Sequence, residues 1–184
     1  MLVVACDARA RRPDAARDST SAHHADTADV RSDVLDHAAR YVVGFLRGDS
    51  TYDANRFADS VTLYVAPEGG GDTATFAREQ LRDPSRWVVQ SAPTHLRSAP
   101  PARYRFAPPR TATKLTTKVG MHLNCGPQPL ASRFPELARL PHVGAMLAPE
   151  TMSSCLQTWN VTFVFDTTSG RPKLVGAVYD QFEW

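Results

Sequence analysis

The stretch Leu156-Gln157-Thr158-Trp159-Asn160-Val161-Thr162-Phe163-Val164-Phe165 decides the fold class. Trp159, Val161, Phe163 and Phe165 alternate with Thr158, Asn160 and Thr162, which is the two-residue period of a half-buried strand. Asp166-Thr167-Thr168-Ser169-Gly170-Arg171-Pro172 follows with turn chemistry. Residues 173–184 read as the returning strand, with Leu174, Val178, Phe182 and Trp184 on one face. The C-terminal third is therefore predicted to be a β-hairpin.

On the N-terminal side of the hairpin, residues 114–123 predict another strand, with Leu115, Val119, Met121 and Leu123 toward the core and Lys114, Thr116, Lys118 and His122 outward. Between the two lies a proline-rich excursion, residues 126–154, with a short helix expected over 132–140. Its Phe134, Leu137, Leu140, Val143, Met146 and Leu147 are too many apolar residues for a purely solvated loop. They either pack back on the domain or present a surface to another protein.

Earlier still, Trp87-Val88-Val89 predicts a short strand, and Tyr104 with Phe106 an edge strand among Pro93, Pro100, Pro101, Pro108 and Pro109. Asp72 or Thr73 is positioned to cap a helix running to Arg82, with Phe76, Ala77 and Leu81 inward. Val61, Leu63 and Val65 alternate as a strand. Ser32 or Asp33 caps a helix over 34–47, where Leu35, Ala38, Val42 and Phe45 recur at helical spacing before the terminator Gly48. The expected architecture is a single α+β domain over 33–184, its N-terminal helices packed on a curved antiparallel sheet that ends in the hairpin. This element order resembles that of NTF2-like (cystatin-like) domains. The resemblance implies a concave sheet face that lines a pocket.

Length and composition agree with one domain plus an extension: 184 residues, 42% hydrophobic. A net charge of +2 is too mild for a dedicated nucleic-acid surface. No run approaches the roughly 20 apolar residues that a membrane-spanning helix requires. Met1-Leu2-Val3-Val4-Ala5-Cys6 resembles the end of a bacterial lipoprotein signal peptide, Val3-Val4-Ala5-Cys6 standing as a shortened lipobox. That resemblance implies that residues 1–6 are a signal-peptide remnant, that Cys6 is lipidated, and that the domain lies outside the cytoplasm. The alternative is a chance apolar start followed by an ordinary thiol. Residues 7–32 are almost devoid of aliphatic side chains before Val30 and are expected to form a disordered tether.

Of the three cysteines, Cys125 ends one predicted strand and Cys155 begins the next, so antiparallel pairing of those strands predicts a disulfide closing the excursion. The competing reading makes one of them a nucleophile activated by His122, without any local signature to place a base against sulfur. His23, His24 and Asp26 fall in the tether, where nothing fixes ligand geometry, and no metal or cofactor is expected.

Trp87, Tyr104, Trp159 and Tyr179 are candidate ligand-binding residues if they line a sheet pocket, although aromatic residues in strands are more often core. Asp180 and His122 are the candidate catalytic acid and base in such a pocket. Three functions remain open. The leading expectation is an exported, lipid-anchored, non-enzymatic binding module of the cell envelope, of inhibitor or immunity type, that recognises a protein or small apolar ligand. The others are an NTF2-like enzyme using Asp180 and His122, and a structural subunit of an envelope complex.

Overall fold

A computed structural model describes residues 22–65, 72–90, 103–120 and 124–180, with backbone alone for 22–31. Cys6, His122, Met121, Leu123, Phe182 and Trp184 lie outside the described residues. The elements in order are α1 (Ala22–Arg47), β1 (Phe57–Val65), β2 (Asp72–Ala77), the one-turn α2 (Arg78–Leu81), β3 (Val88–Gln90), β4 (Arg103–Arg105), β5 (Lys114–Val119), β6 (His142–Ala148), β7 (Trp159–Asp166) and β8 (Lys173–Tyr179). Six strands form one mixed sheet in the order β2-β1-β8-β7-β6-β5, and β3 pairs with β4 in a second, two-stranded sheet. The fold is α+β. Among the described residues no helix is long and apolar enough to cross a membrane.

Helix α1 buries Leu35, Ala38, Ala39, Val42, Val43, Phe45 and Leu46, a stripe at three- and four-residue spacing. It begins at Ala22 rather than near Val34, so its first turns overlap the stretch expected to be a tether. Once the buried half has nucleated, each further residue adds a backbone hydrogen bond at little cost, so a polar, alanine-containing stretch extends the helix. Asp36 is joined to the Thr117 hydroxyl of β5, which also accepts from Arg40 Nη2 at 2.9 Å.

The structure corrects several expectations. The sheet is mixed rather than antiparallel, because β1 runs parallel to β8 with Tyr64 opposite Val178. Alternation reveals that a segment is a strand but not its partner, and these two are brought together by a long crossover. Residues 72–77 are strand β2, not the start of a second helix: Thr73 and Thr75 alternate outward, and Thr75 shares a 3.0 Å hydroxyl hydrogen bond with Thr62 of β1. Helix survives only at Arg78–Leu81, so one long helix stands where several were expected. The excursion contributes a full strand, β6, between β5 and β7.

Strands β7 and β8 pair antiparallel, with Phe163 opposite Ala177. An irregularity places Val164 opposite Gly176 but Phe165 opposite Leu174, so Val175 is the extra residue. A bulge of this kind reverses the parity of the strand. Leu174 and Ala177 consequently join the main core, whereas Val178, expected on the face of Leu174, points to the other side.

Two cores sandwich the sheet. The larger holds α1, the aromatic group Phe45, Phe57 and Trp87, and Val161, Phe163 and Phe165 of β7. Phe57 and Trp87 meet edge to face at 6.0 Å. The smaller is built on Val164 and Val178 and is covered by Leu130 and Leu137, with Tyr64 and Phe134 packed at its margin. Leu130 and Leu137 come from two short 3-10 helices of the excursion, Leu130–Ser132 and Leu137–Arg139. Much of the excursion's apolar content thus packs back on the domain. Strand β7 is buried on both faces rather than half-buried.

Candidate functional site

The polar centre of the molecule lies at the second face, where β7 begins and β8 ends beneath the excursion. Asp180 follows β8 directly, and its backbone N–H donates to the Asn160 carbonyl at 3.1 Å. Its side chain is 3% exposed. One carboxylate oxygen accepts from the backbone N–H of Gln128 at 3.0 Å, and the other forms an ion pair with Arg133 Nη2. Burial pushes the Asp180 carboxyl above the ordinary aspartate value, and Arg133 and the Gln128 N–H pull it partly back. Both oxygens are therefore committed to the segment that crosses the sheet.

A second chain of hydrogen bonds starts from the neighbouring strand. Asn160, wholly buried, donates from Nδ2 to the Thr158 hydroxyl at 2.8 Å. That hydroxyl lies 2.7 Å from the Cys155 carbonyl and 3.0 Å from the Cys125 carbonyl, and donates to either. Cys125 and Cys155 are joined in a disulfide, their Cα atoms 4.9 Å apart. Strands β5 and β7 are not paired with each other as expected, because β6 lies between them. Gly120, just after β5, has a φ of +66°, and Cys125 one of +54°, both in the left-handed region. Asp180–Arg133 and the disulfide are thus two clasps on one segment. A buried carboxyl tied at one oxygen by a cation and at the other by a backbone N–H anchors this segment to the sheet.

The aromatic candidates lie elsewhere. Trp87 and Trp159 are buried, and Trp87 Nε1 donates to the Leu81 carbonyl at 3.1 Å. Tyr104 is buried, while half-buried Tyr179 sets its ring 5.6 Å from that of Phe106 at a tilt of 52°, with burial raising its phenol pKa. All four belong to or border the main core. Tyr179 and Asp180 are adjacent on the strand and so face opposite sides of the sheet. His122 and Cys6 are outside the described residues, so neither a His122–Asp180 nor a His122–cysteine geometry is defined. Among the described residues no three His, Cys, Asp or Glu groups converge as metal ligands.

Among the cavities on the described surface, two are lined by groups that could hold a ligand. One, of about 400 Å³, lies under Pro127–Ala131 with Gly144 and Thr162 as its floor and His142 at its rim. His142 Nδ1 is 2.8 Å from the Leu140 carbonyl, which holds the proton on that nitrogen. The other, of about 760 Å³, lies on the far side of the domain at the end of α1 and is lined by Arg47, Arg105 and Arg110. Neither Arg133 nor the arginine-lined cavity was legible beforehand. Arg133 gave a weak signal, being a lone cation among apolar residues; Arg105 and Arg110 resemble any surface arginine.

Neither a protein-family model, nor a curated protein, nor a solved structure matches this chain.

Proposed function

We propose that the chain is an exported, lipid-anchored, non-enzymatic binding module of the bacterial cell envelope, attached through Cys6, that recognises a protein partner. The observation that carries this reading is the Cys125–Cys155 disulfide. Such bonds persist in oxidising compartments and are rare in the cytoplasm. The bond holds the segment between β6 and β7, on which Met152 and Leu156 are 42% and 54% exposed. That segment is not slack: Gln157 Oε1 accepts from the Ser153 N–H at 2.9 Å, and Ser154 Oγ from the Leu156 N–H at 3.2 Å. Two large apolar side chains held outward by a cross-linked, hydrogen-bonded loop suit a preorganised contact with another protein. The likeness to NTF2-like domains belongs to the same proposal. It is supported by one long helix followed by strands that close in an antiparallel run from β5 to β8. A small apolar ligand is the second reading, favoured by the 400 Å³ cavity with its proline, leucine and alanine walls.

The test is an intact-mass measurement on protein taken from cells that carry the native gene, alkylated before and after reduction. The expected result is an acyl mass on Cys6, membrane fractionation, and two further thiols that appear only after reduction. Three freely alkylating thiols in the soluble cytoplasmic fraction overturn the proposal. A photo-crosslinker placed at Leu156 then separates the two readings: a discrete protein adduct supports a protein partner, and none supports the small ligand.

A further inference from the structure

We propose that the cavity at the end of α1 binds a small organic anion bearing phosphate or carboxylate groups. The cavity, about 760 Å³, is formed where the end of α1, the 3-10 helix Pro84–Arg86 and the segment after β4 meet. Its charged lining comprises Arg47, Arg105, Arg110, Asp49 and Asp83.

What matters is which of these charges is already engaged. Asp49 is paired with Arg47 at 3.1 Å, and Arg47 also reaches the Ala112 carbonyl at 3.4 Å. Asp83 caps the 3-10 helix by accepting from the Ser85 N–H at 3.0 Å and the Ser85 hydroxyl at 2.6 Å, and it pairs with Arg86 at 3.4 Å. Both carboxylates are thus occupied. Arg105 pairs with Val88 through the β3–β4 backbone ladder, but the side chains of Arg105 and Arg110 make no hydrogen bond, ion pair or ring contact with any described residue. Two guanidinium groups, each with five N–H donors and a fork that matches an oxyanion, therefore face the same cavity uncommitted.

Backbone geometry keeps them there. Tyr104 is buried on one side of β4, which turns Arg105 to the opposite side. Arg110 follows Pro108-Pro109, which restrict the chain at that point, and the Ala112 N–H bonds to the Pro109 carbonyl at 3.1 Å. The volume sets the ligand class. It lies in the range of cavities that enclose organic ligands and is far larger than one phosphate ion. Leu46, Pro84 and Pro108 provide apolar wall for the body of such a molecule. The chemistry is shared by soluble phosphorylated or carboxylated metabolites and by anionic lipid headgroups, and the experiment distinguishes the two sources.

The experiment is calorimetric titration of the full chain carrying C6S, with its disulfide intact, against pyrophosphate, citrate and a sugar bisphosphate. Vesicles of phosphatidylglycerol with phosphatidylcholine form a parallel arm. Saturable binding is expected in at least one arm, weakened by rising salt, and reduced about tenfold or more by either R105A or R110A. The double variant R105A/R110A keeps its unliganded unfolding midpoint, because neither side chain has a partner to lose among the described residues. R139A, an exposed arginine elsewhere, leaves binding unchanged. Binding to soluble anions identifies a metabolite, and binding to vesicles alone identifies a headgroup. No saturable binding in any arm overturns the proposal, as does binding that survives R105A/R110A.

Discussion

Asp180, a candidate acid or base in the sequence, is tied in space to Arg133 and to the Gln128 N–H. Its desolvation outweighs the attraction of Arg133, so the folded state holds the proton more tightly than the unfolded chain does. The stability this provides is fully present below the unfolded value of about 3.8 and is lost as pH rises through the raised folded pKa. Asp36 behaves in the opposite way. Despite its own desolvation, hydrogen bonds from Thr117 and Arg40 hold its carboxyl low, so its stabilisation is lost as pH falls. The expected outcome for D180N is that wild-type stability declines relative to the variant as pH rises from acid toward neutrality. Urea unfolding at a series of pH values measures this, and a difference that grows in the wild type's favour would show that Arg133 outweighs burial. Asp180 was legible as a residue of interest because it follows a strongly patterned strand. Arg133 was not, because it lies far away in the chain and only the crossover of the excursion brings it there.

Among the elements, β7 departs most from its pattern. Asn160 and Thr162 give it the look of a strand with one wet face, yet both are buried beneath the excursion. A polar residue at an alternate position is compatible with burial when its hydrogen bonds are met locally, as Asn160 does in part through Thr158. The cover itself rests on few side chains. Truncation of Leu130, which lies over Val164 and Val178, is expected to lower stability by about 2–4 kcal/mol, the range for opening a cavity at a buried leucine. Denaturant unfolding of L130A checks it; a loss under about 1 kcal/mol would mean that the excursion is only loosely seated. Strand β6 escaped notice because Val143-Gly144-Ala145-Met146-Leu147-Ala148 has no alternation and is bounded by Pro141 and Pro149. A strand covered on both sides has no polar face to mark its period. Strand β2 carries a helix signal because Asp72 and Thr73 suit an N-cap, and the edge position that favours Thr73 and Thr75 as strand residues is a property of its neighbour β1.

For the whole molecule, the order β2-β1-β8-β7-β6-β5 puts the last two strands at the centre and the first two, β1 and β2, at one side. Amide hydrogen exchange should therefore be slowest in β7 and β8, buried between two cores, and fastest in the outer strands β2 and β5. Faster exchange in β7 than in β5 would contradict the two-core arrangement. From the sequence alone came the local features: the α1 stripe, the C-terminal hairpin, the strand at 61–65 and the pairing of Cys125 with Cys155. Each of these depends on residues close together in the chain or on the small number of ways that cysteines can combine. The tertiary structure alone decided the parallel pairing of β1 with β8, the insertion of β6, the two-sided burial of β7, and the meeting of Asp180 with Arg133 and of Arg105 with Arg110. These depend on which distant segments share a face, and periodicity within a segment carries no information about its neighbours.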